Sequence, residues 1–401
     1  MEYIKFSEFI RSTQYGYTAE ETSMIEGDSK YLRITDIVPY FINKERVPFC
    51  KIDEKKKEKY LVKKDDLLIA RTGATTGYNV VIDNTFNNFV FASYLIRFNY
   101  DKDALSPVFL KYVLKSQQWY GFVNNYIGGS AQPGMNAKVF GKFEIPYFNI
   151  ERQERIASIL IAYDNLIENN NKRIRLLEQM AENLYKEWFV RFRFPGYEHI
   201  KFIDGIPSDW QILRMCDFCY VTDGTHDTPK PVNEGGVPLV TGKCIKNGFI
   251  DFNEPYNISY QDHESISKRS GLQTGDILFS NIGTVGTTCL VNYDRDFSVK
   301  NVIIFKPDNT EISNYLYSWL NSDSIQAIFA TQTNGASQQF VGLNFMRRFK
   351  ILVPNENVLA LYSDRIKPIR AEIVKLHDIN NNLIKQRDML LPRLMSGKLE
   401  V

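Results

Sequence analysis

The chain has 401 residues, a length for two or three domains, and 44% of them are hydrophobic, enough for real cores. Charged residues make up 24% and the formal net charge is only +2, which excludes a disordered or strongly polycationic chain and makes any basic surface a local one. The five cysteines are odd in number and lack framework spacing; Cys216 and Cys219 form a lone CxxC, which reads as reduced thiols rather than a four-ligand zinc site.

In chain order, "MEYIKFSEFIRS" lacks a basic-then-apolar leader, and no apolar run approaches the roughly 20 residues of a membrane span. A soluble, cytoplasmic protein is expected. Lys55, Lys56 and Lys57 form a charge run that reads as a solvated loop. "DDLLIARTGATTG" (65–77) then reads as a strand entering a glycine turn, with Asp65 and Asp66 in a solvated turn at its start. "VVIDN" and "FVFASYLIRFN" alternate as strands do, and "SPVFLKYVLKSQQWY" reads as helical. The loop "GGSAQPGMN", the short strand "KFEIPYF" and a long helix complete the first half.

The same order then returns. After the irregular connector "RFRFPGYEHIKFIDGIPSDW" comes "GDILFSNIGTVG" (275–286). Asp66, Leu67, Leu68, Gly73 and Gly77 match Asp276, Ile277, Leu278, Gly283 and Gly286, with a one-residue slip at the last glycine. "CLVNY", "FSVKNVIIFKP", the helical "ISNYLYSWLNSDSIQAIF", the loop "NGASQQFVGLN", the strand "RFKILVP" and a second long helix follow in register. The layout is therefore globule, helix, globule, helix, in an internal repeat.

Both long helices carry a seam. In the first, Ile156, Leu160, Tyr163, Ile167, Asn170, Ile174, Leu177, Ala181, Leu184 and Trp188 alternate at spacings of four and three. In the second, Leu359, Tyr362, Ile366, Ile369, Ile373, Leu376, Asn380, Leu383, Arg387 and Leu390 do the same. Such spacing over more than four heptads is a coiled-coil pattern, and an Asn at a seam position fixes register when it meets another. The spacing predicts that the helices, each of about 33 residues and roughly 50 Å, pack antiparallel with Asn170 near Asn380. The halves are then related by a pseudo-twofold axis. The competing reading is two separate amphipathic helices, each serving its own domain.

No catalytic constellation emerges. There is no G-x-x-x-x-G-K-[ST], H-E-x-x-H or G-x-S-x-G, and the turns "GATTG" and "GTVG" do not make a dinucleotide fingerprint. His199, His226, His263 and His377 are scattered. The Asn-Pro-Pro-aromatic or Asp-Pro-Pro-aromatic tetrapeptide of amino-methyltransferases is missing too.

The whole chain resembles the specificity (S) subunit of type I restriction-modification enzymes. The resemblance lies in the paired "DDLLIARTG" and "GDILFSNIG" strands, the "GGSAQ" and "GASQQ" loops, "IPYFNIERQERIASILIAYDNLIENNNKRIRLLEQMAENLYKEWFVRFRFPG", "DGTHDTPKP" and "LLPRLMSGKLEV". It implies an α+β chain in which two similar mixed α/β target-recognition domains are separated by two long antiparallel coiled-coil helices. Residues 1–150 would be the first such domain and 151–190 the first spacer helix. Residues 191–354 would be the connector and second domain, and 355–401 the second spacer helix and tail. The resemblance also implies a non-catalytic subunit that binds double-stranded DNA at a bipartite, asymmetric site. Two modification (M) subunits would dock on it and methylate adenine N6 with S-adenosylmethionine. Restriction (R) subunits would add ATP/Mg-driven cleavage, and no cofactor would belong to this chain. A standalone DNA-binding protein and a coiled-coil scaffold are the alternatives. With a net charge of +2, weak DNA binding is expected of the chain alone.

Base reading needs Arg, Lys, Asn or Gln at base edges, and phosphate contacts add Ser, Thr and backbone N–H groups. The first-half candidates are Arg33, Thr35, Arg71, Thr72, Thr75, Thr76, Ser130 and Gln132. Those in the second are Thr225, His226, Lys243, Asn281, Thr284, Ser337 and Gln338. Arg71 and Asn281 share one repeat position. Outward helix residues and the exit "LYKEWFVRFRF" are the candidate partner surface, though Trp188 and Phe189 equally suit burial against their own domain.

Overall fold

The computed structural model describes residues 2–22, 29–37, 42, 44–127, 134–333 and 340–401. They fall into two compact units, Met1–Asn170 with Asp378–Val401, and Asn171–His377. Each unit takes a segment of both long helices.

The first unit is organised by the strand Leu67–Ala70, all four residues of which are buried. Side chains alternate across a strand. Leu67 and Ile69 therefore enter a core with Phe98, Trp119 and Phe140, while Leu68 and Ala70 enter a second core with Phe89, Phe91 and Leu95. The strand belongs to a four-stranded antiparallel sheet in the order Ile10–Tyr15, Leu95–Tyr100, Leu67–Ala70, Asn79–Val81. A second sheet covers its other face; there Ser29–Leu32 runs parallel to Phe89–Phe91 and antiparallel to Phe49–Cys50. A ribbon of Tyr3–Lys5 with Glu144–Pro146 closes the domain beside the helix.

The second unit repeats this plan. Its sheet runs Tyr220–Asp223, Val302–Lys306, Ile277–Ser280, Thr288–Leu290. Ile277 and Phe279 point into one core and Leu278 into another. Val237–Val240 runs parallel to Ser298–Val299, and Gln211–Arg214 pairs with Lys350–Val353. Even the polar strut at the strand entrance recurs. Asp66 accepts from Lys63 N at 2.9 Å and pairs with Arg97 at 3.1 Å, and Asp276 accepts from Gln273 N at 2.9 Å and pairs with Lys306 at 2.5 Å. Asp66 is thus an ion-paired group rather than part of a solvated turn. Burial raises the Asp276 carboxyl against the pull of that lysine.

Each sheet corner also holds a glycine whose hydrogen faces a carbonyl. A Cβ on Gly16 would lie far inside van der Waals contact of the Ala92 and Phe91 oxygens, and one on Gly224 would strike the Val299 oxygen. The backbone pattern there is the same in both: Gly16 N donates to Leu95 O and Gly224 N to Val302 O.

Two local expectations are corrected. The lysine run forms the helix Glu54–Tyr60, because Asp53 caps it by accepting from Lys55 N. The single helical segment expected in each half is two helices, Pro107–Val113 with Gln117–Ile127, and Thr310–Leu320 with Asp323–Thr333.

The first long helix is Ile150–Tyr185, continued by a wider π turn at Lys186–Val190, and the second is Glu356–Met395. Every seam residue named above is buried or half-buried. In the first unit Asn170 Nδ2 donates to Asn380 Oδ1 at 2.9 Å, out of contact with water. Asp164 pairs with Arg387 at 2.8 Å, so the segments run antiparallel. Burial alone would raise the Asp164 carboxyl. The Tyr112 hydroxyl at 2.7 Å, then Lys111 and Arg387, outweigh it and hold the group below its ordinary range. In the second unit Arg173 pairs with Glu372 at 2.8 Å and Trp188 packs on Tyr362, which gives the same antiparallel sense. Trp188 and Phe189 are buried there against Trp210, Tyr315 and Tyr362, which removes them from any outward surface. No described helix is long and apolar enough to cross a membrane.

Replacing Asn170 by Leu removes a buried hydrogen bond and should lower the unfolding free energy by about 1–3 kcal/mol. Replacing Asn380 as well should cost less than the sum of the two single changes. Urea denaturation of the four proteins measures this, and strict additivity would show the pair to be uncoupled. Gly16→Ala should cost at least about 1–3 kcal/mol through the backbone clash. Gly121→Ala, in a helix with open space beyond its Cα, should instead raise stability by about 0.5–1 kcal/mol in the same assay.

Candidate nucleic-acid interface

The glycine turns after the two buried strands have nearly the same backbone. Gly73 and Gly283 both sit at φ 73°, and Gly77 and Gly286 at φ 86° and 95°. These are conformations only glycine adopts without strain. The second glycine of each pair also lets a helix approach. Trp119 Nε1 donates to Gly77 O at 2.8 Å, and Gln326 Nε2 donates to Gly286 O at 2.9 Å.

Much of the candidate list is spent on holding these turns. Thr76 is buried and its hydroxyl donates to Gly73 O at 2.7 Å. Thr75 buries its hydroxyl without a partner among the described residues. Thr284 sits 3.0 Å from the Ser280 hydroxyl and donates to Gly242 O at 3.4 Å. Asn281 is 6% exposed, and its Nδ2 donates to Val341 O at 3.3 Å. Thr225 is buried and accepts from Asp227 N at 3.1 Å. Arg33 is engaged by Glu21 at 2.6 Å and Asp36 at 2.8 Å, and the Asp36 hydrogen bond, offset by burial and reinforced by Glu21, raises its pKa further. Two flanking carboxylates leave that guanidinium little positive field.

Thr35, Lys243 and His226 are exposed, and Arg71 and Thr72 are half-exposed. Ser130, Gln132, Ser337 and Gln338 lie outside the described residues.

Arg71 is the most distinctive of these. It leaves the buried strand between two neighbours, its guanidinium carbon 5.1 Å from the Tyr15 ring centroid and 5.8 Å from that of Tyr94. Its Nε donates to Ser93 O at 3.3 Å, and no carboxylate lies in ion-pair range among the described residues. Tyr15 and Tyr94 are 44% and 53% exposed, so both rings face solvent beside the guanidinium.

His226 lies at the corresponding corner of the second unit. Its Nε2 is 2.9 Å from Asp223 Oδ2 and its Nδ1 2.9 Å from Asn301 Oδ1, so both ring nitrogens are engaged. Asp223, itself buried, also binds Arg269. Thr225, Asp227, Ser265, Ile266 and Arg269 line a shallow cavity of about 140 Å³.

Tyr15, Tyr94, Asp223, Arg269 and Asn301 were not among the sequence candidates. The signal that locates the corner is the pair of matched glycines in "QYGY" and "TDGT". Nothing in one dimension joins them to residues some 70 positions away.

Comparison with known proteins agrees with the repeat. A family model described as the type I restriction modification DNA specificity domain matches twice, over residues 27–179 and 207–387. The type I restriction enzyme MjaIX specificity subunit of Methanocaldococcus jannaschii is 25% identical over 316 residues, 75% of this chain and 71% of the relative. The MjaVIII specificity subunit of the same organism is 22% identical over 369 residues, 88% of this chain and 83% of the relative. The crystal structure of a type I restriction-modification S subunit from M. genitalium superposes with a TM-score of 0.58 at 15% identity, covering 98% of this chain and 95% of that one, a likeness of fold.

Proposed function

The chain belongs to the type I restriction-modification DNA specificity family, and from that premise we propose that it reads a split, asymmetric DNA sequence, one half with each domain. As a specificity subunit it selects DNA for other subunits that carry out the chemistry. The observation that carries the finer reading is the repeat itself. Two domains share a backbone down to the matched glycines yet present different side chains at the same corner. Identical frames with different rims suit two unlike half-sites.

In this reading residues 1–150 and 191–354 contain the target-recognition domains, and 151–190 and 355–401 are the spacer helices. A stiff spacer sets both gap and rotational phase, at about 10.5 bp per turn. Asn170 and Asn380 hold its register. Two modification subunits dock on the outward helix residues and transfer methyl groups from S-adenosylmethionine to adenine N6. Restriction subunits, using ATP and Mg, join the same assembly in the cytoplasm. With a net charge of +2, the chain alone is expected to bind DNA weakly and to gain affinity in the assembly.

Co-expression with the cognate modification subunit in a methylation-free host, followed by methylome sequencing, tests the reading. A split motif with one methyladenine per strand and a fixed gap is expected. Exchanging residues 1–150 or 205–354 for those of a relative should change one half only. Failure to co-purify, with no methylation, would contradict the reading and favour a scaffold that binds no DNA.

A further inference from the structure

Around Gly16 and Gly224 the backbone hydrogen bonds of the two domains correspond, except that the first domain carries one additional residue, Tyr94, just before its central strand. Ser93 N donates to Tyr17 O and Asn301 N to Thr225 O, each at the start of the central strand. Tyr15 therefore stands where Asp223 stands, and Ser93 where Asn301 stands. Arg71 stands where Asn281 stands. The frame is common and the chemistry is opposite. The first corner is a half-exposed guanidinium between two tyrosines. The second is a buried carboxylate gripping an imidazole and an arginine.

These differences decide what each corner offers to DNA. Only Nε of Arg71 has a partner among the described residues, so both terminal NH2 groups remain available as a fork. The rings of Tyr15 and Tyr94 flank the guanidinium and restrict it, which reduces the ordering cost of binding. A planar fork of donors matches the paired O6 and N7 acceptors of guanine in the major groove. In the second domain Asn281 is buried and Asp223 neutralises Arg269, so no equivalent fork stands at that position. The braced His226 ring, 62% exposed at its side chain, is the group presented instead.

We propose that this corner is the base-selecting surface of both domains, with Arg71 reading a guanine in the first domain's half-site and His226 contacting a base pair of the second. The proposal rests on the reading that each domain takes one half-site.

The test uses the assembled complex with its modification subunit on DNA randomised in both half-sites, with methylated adenines sequenced. Arg71→Ala should lose the preference for guanine at one position of the first half by about 10- to 100-fold and leave the second half unchanged. Arg71→Lys keeps the charge without the fork and should show the same loss. His226→Ala should relax one position in the second half only. The assignment of Arg71 is overturned if the first half contains no guanine, if Arg71→Lys keeps the full preference, or if methylation falls equally on all sequences, as a phosphate contact would cause. Altered preference in the first half from His226→Ala overturns the shared-corner claim. The unsubstituted complex separates the two levels: if it yields no split motif, the two-domain reading itself fails whatever Arg71 does.

Discussion

Each domain depends on one four-residue strand whose two faces are both buried. Leu67–Ala70 and Ile277–Ser280 have no exposed side, and their alternating side chains must be covered from two directions. A helical layer covers one face and a second sheet the other. The chain leaves the strand through a glycine turn, because glycine takes the left-handed backbone there without steric cost. That exit brings residue 71 or 281 to the sheet corner beside Gly16 or Gly224. The surface chemistry of both domains is thus placed by a core that has no surface of its own.

The long helices obey a second constraint. A helix of 36 or 40 residues with this many charges is not held by propensity; it must bury a stripe. Its polar seam positions are satisfied individually. Asn170 meets Asn380, and Arg387 meets Asp164, which Tyr112 and Lys111 also hold. Those last two side chains come from the helix Pro107–Val113, so within the first unit the recognition domain and the seam share one partly buried ionic cluster. Such a cluster contributes orientation more than net stability.

The sequence made the repeat, the seam and the buried strands legible, because each depends on spacing. Period two distinguishes Leu67 from Leu68, and the four-three pattern pairs helices that lie far apart in the chain. The corner was not legible in the same way. Tyr15, Arg71 and Tyr94 come from three separate segments and become neighbours only when strands 10–15 and 67–70 flank strand 95–100. Burial likewise withdrew Asn281, Thr76 and Thr225 from the surface, although their residue types suit DNA. The lysine run became a helix through a capping carboxylate one residue before it, a local effect that charge counting overlooks.

The central claim is that two unlike domains of one repeated fold engage two separated stretches of DNA. Hydroxyl-radical footprinting of the assembled complex, on a duplex carrying its methylated sequence, tests this most directly. The account predicts two protected stretches divided by an accessible gap, with each stretch lost separately when the corresponding domain is exchanged. A single continuous protected stretch, or loss of both when one domain is exchanged, would contradict it.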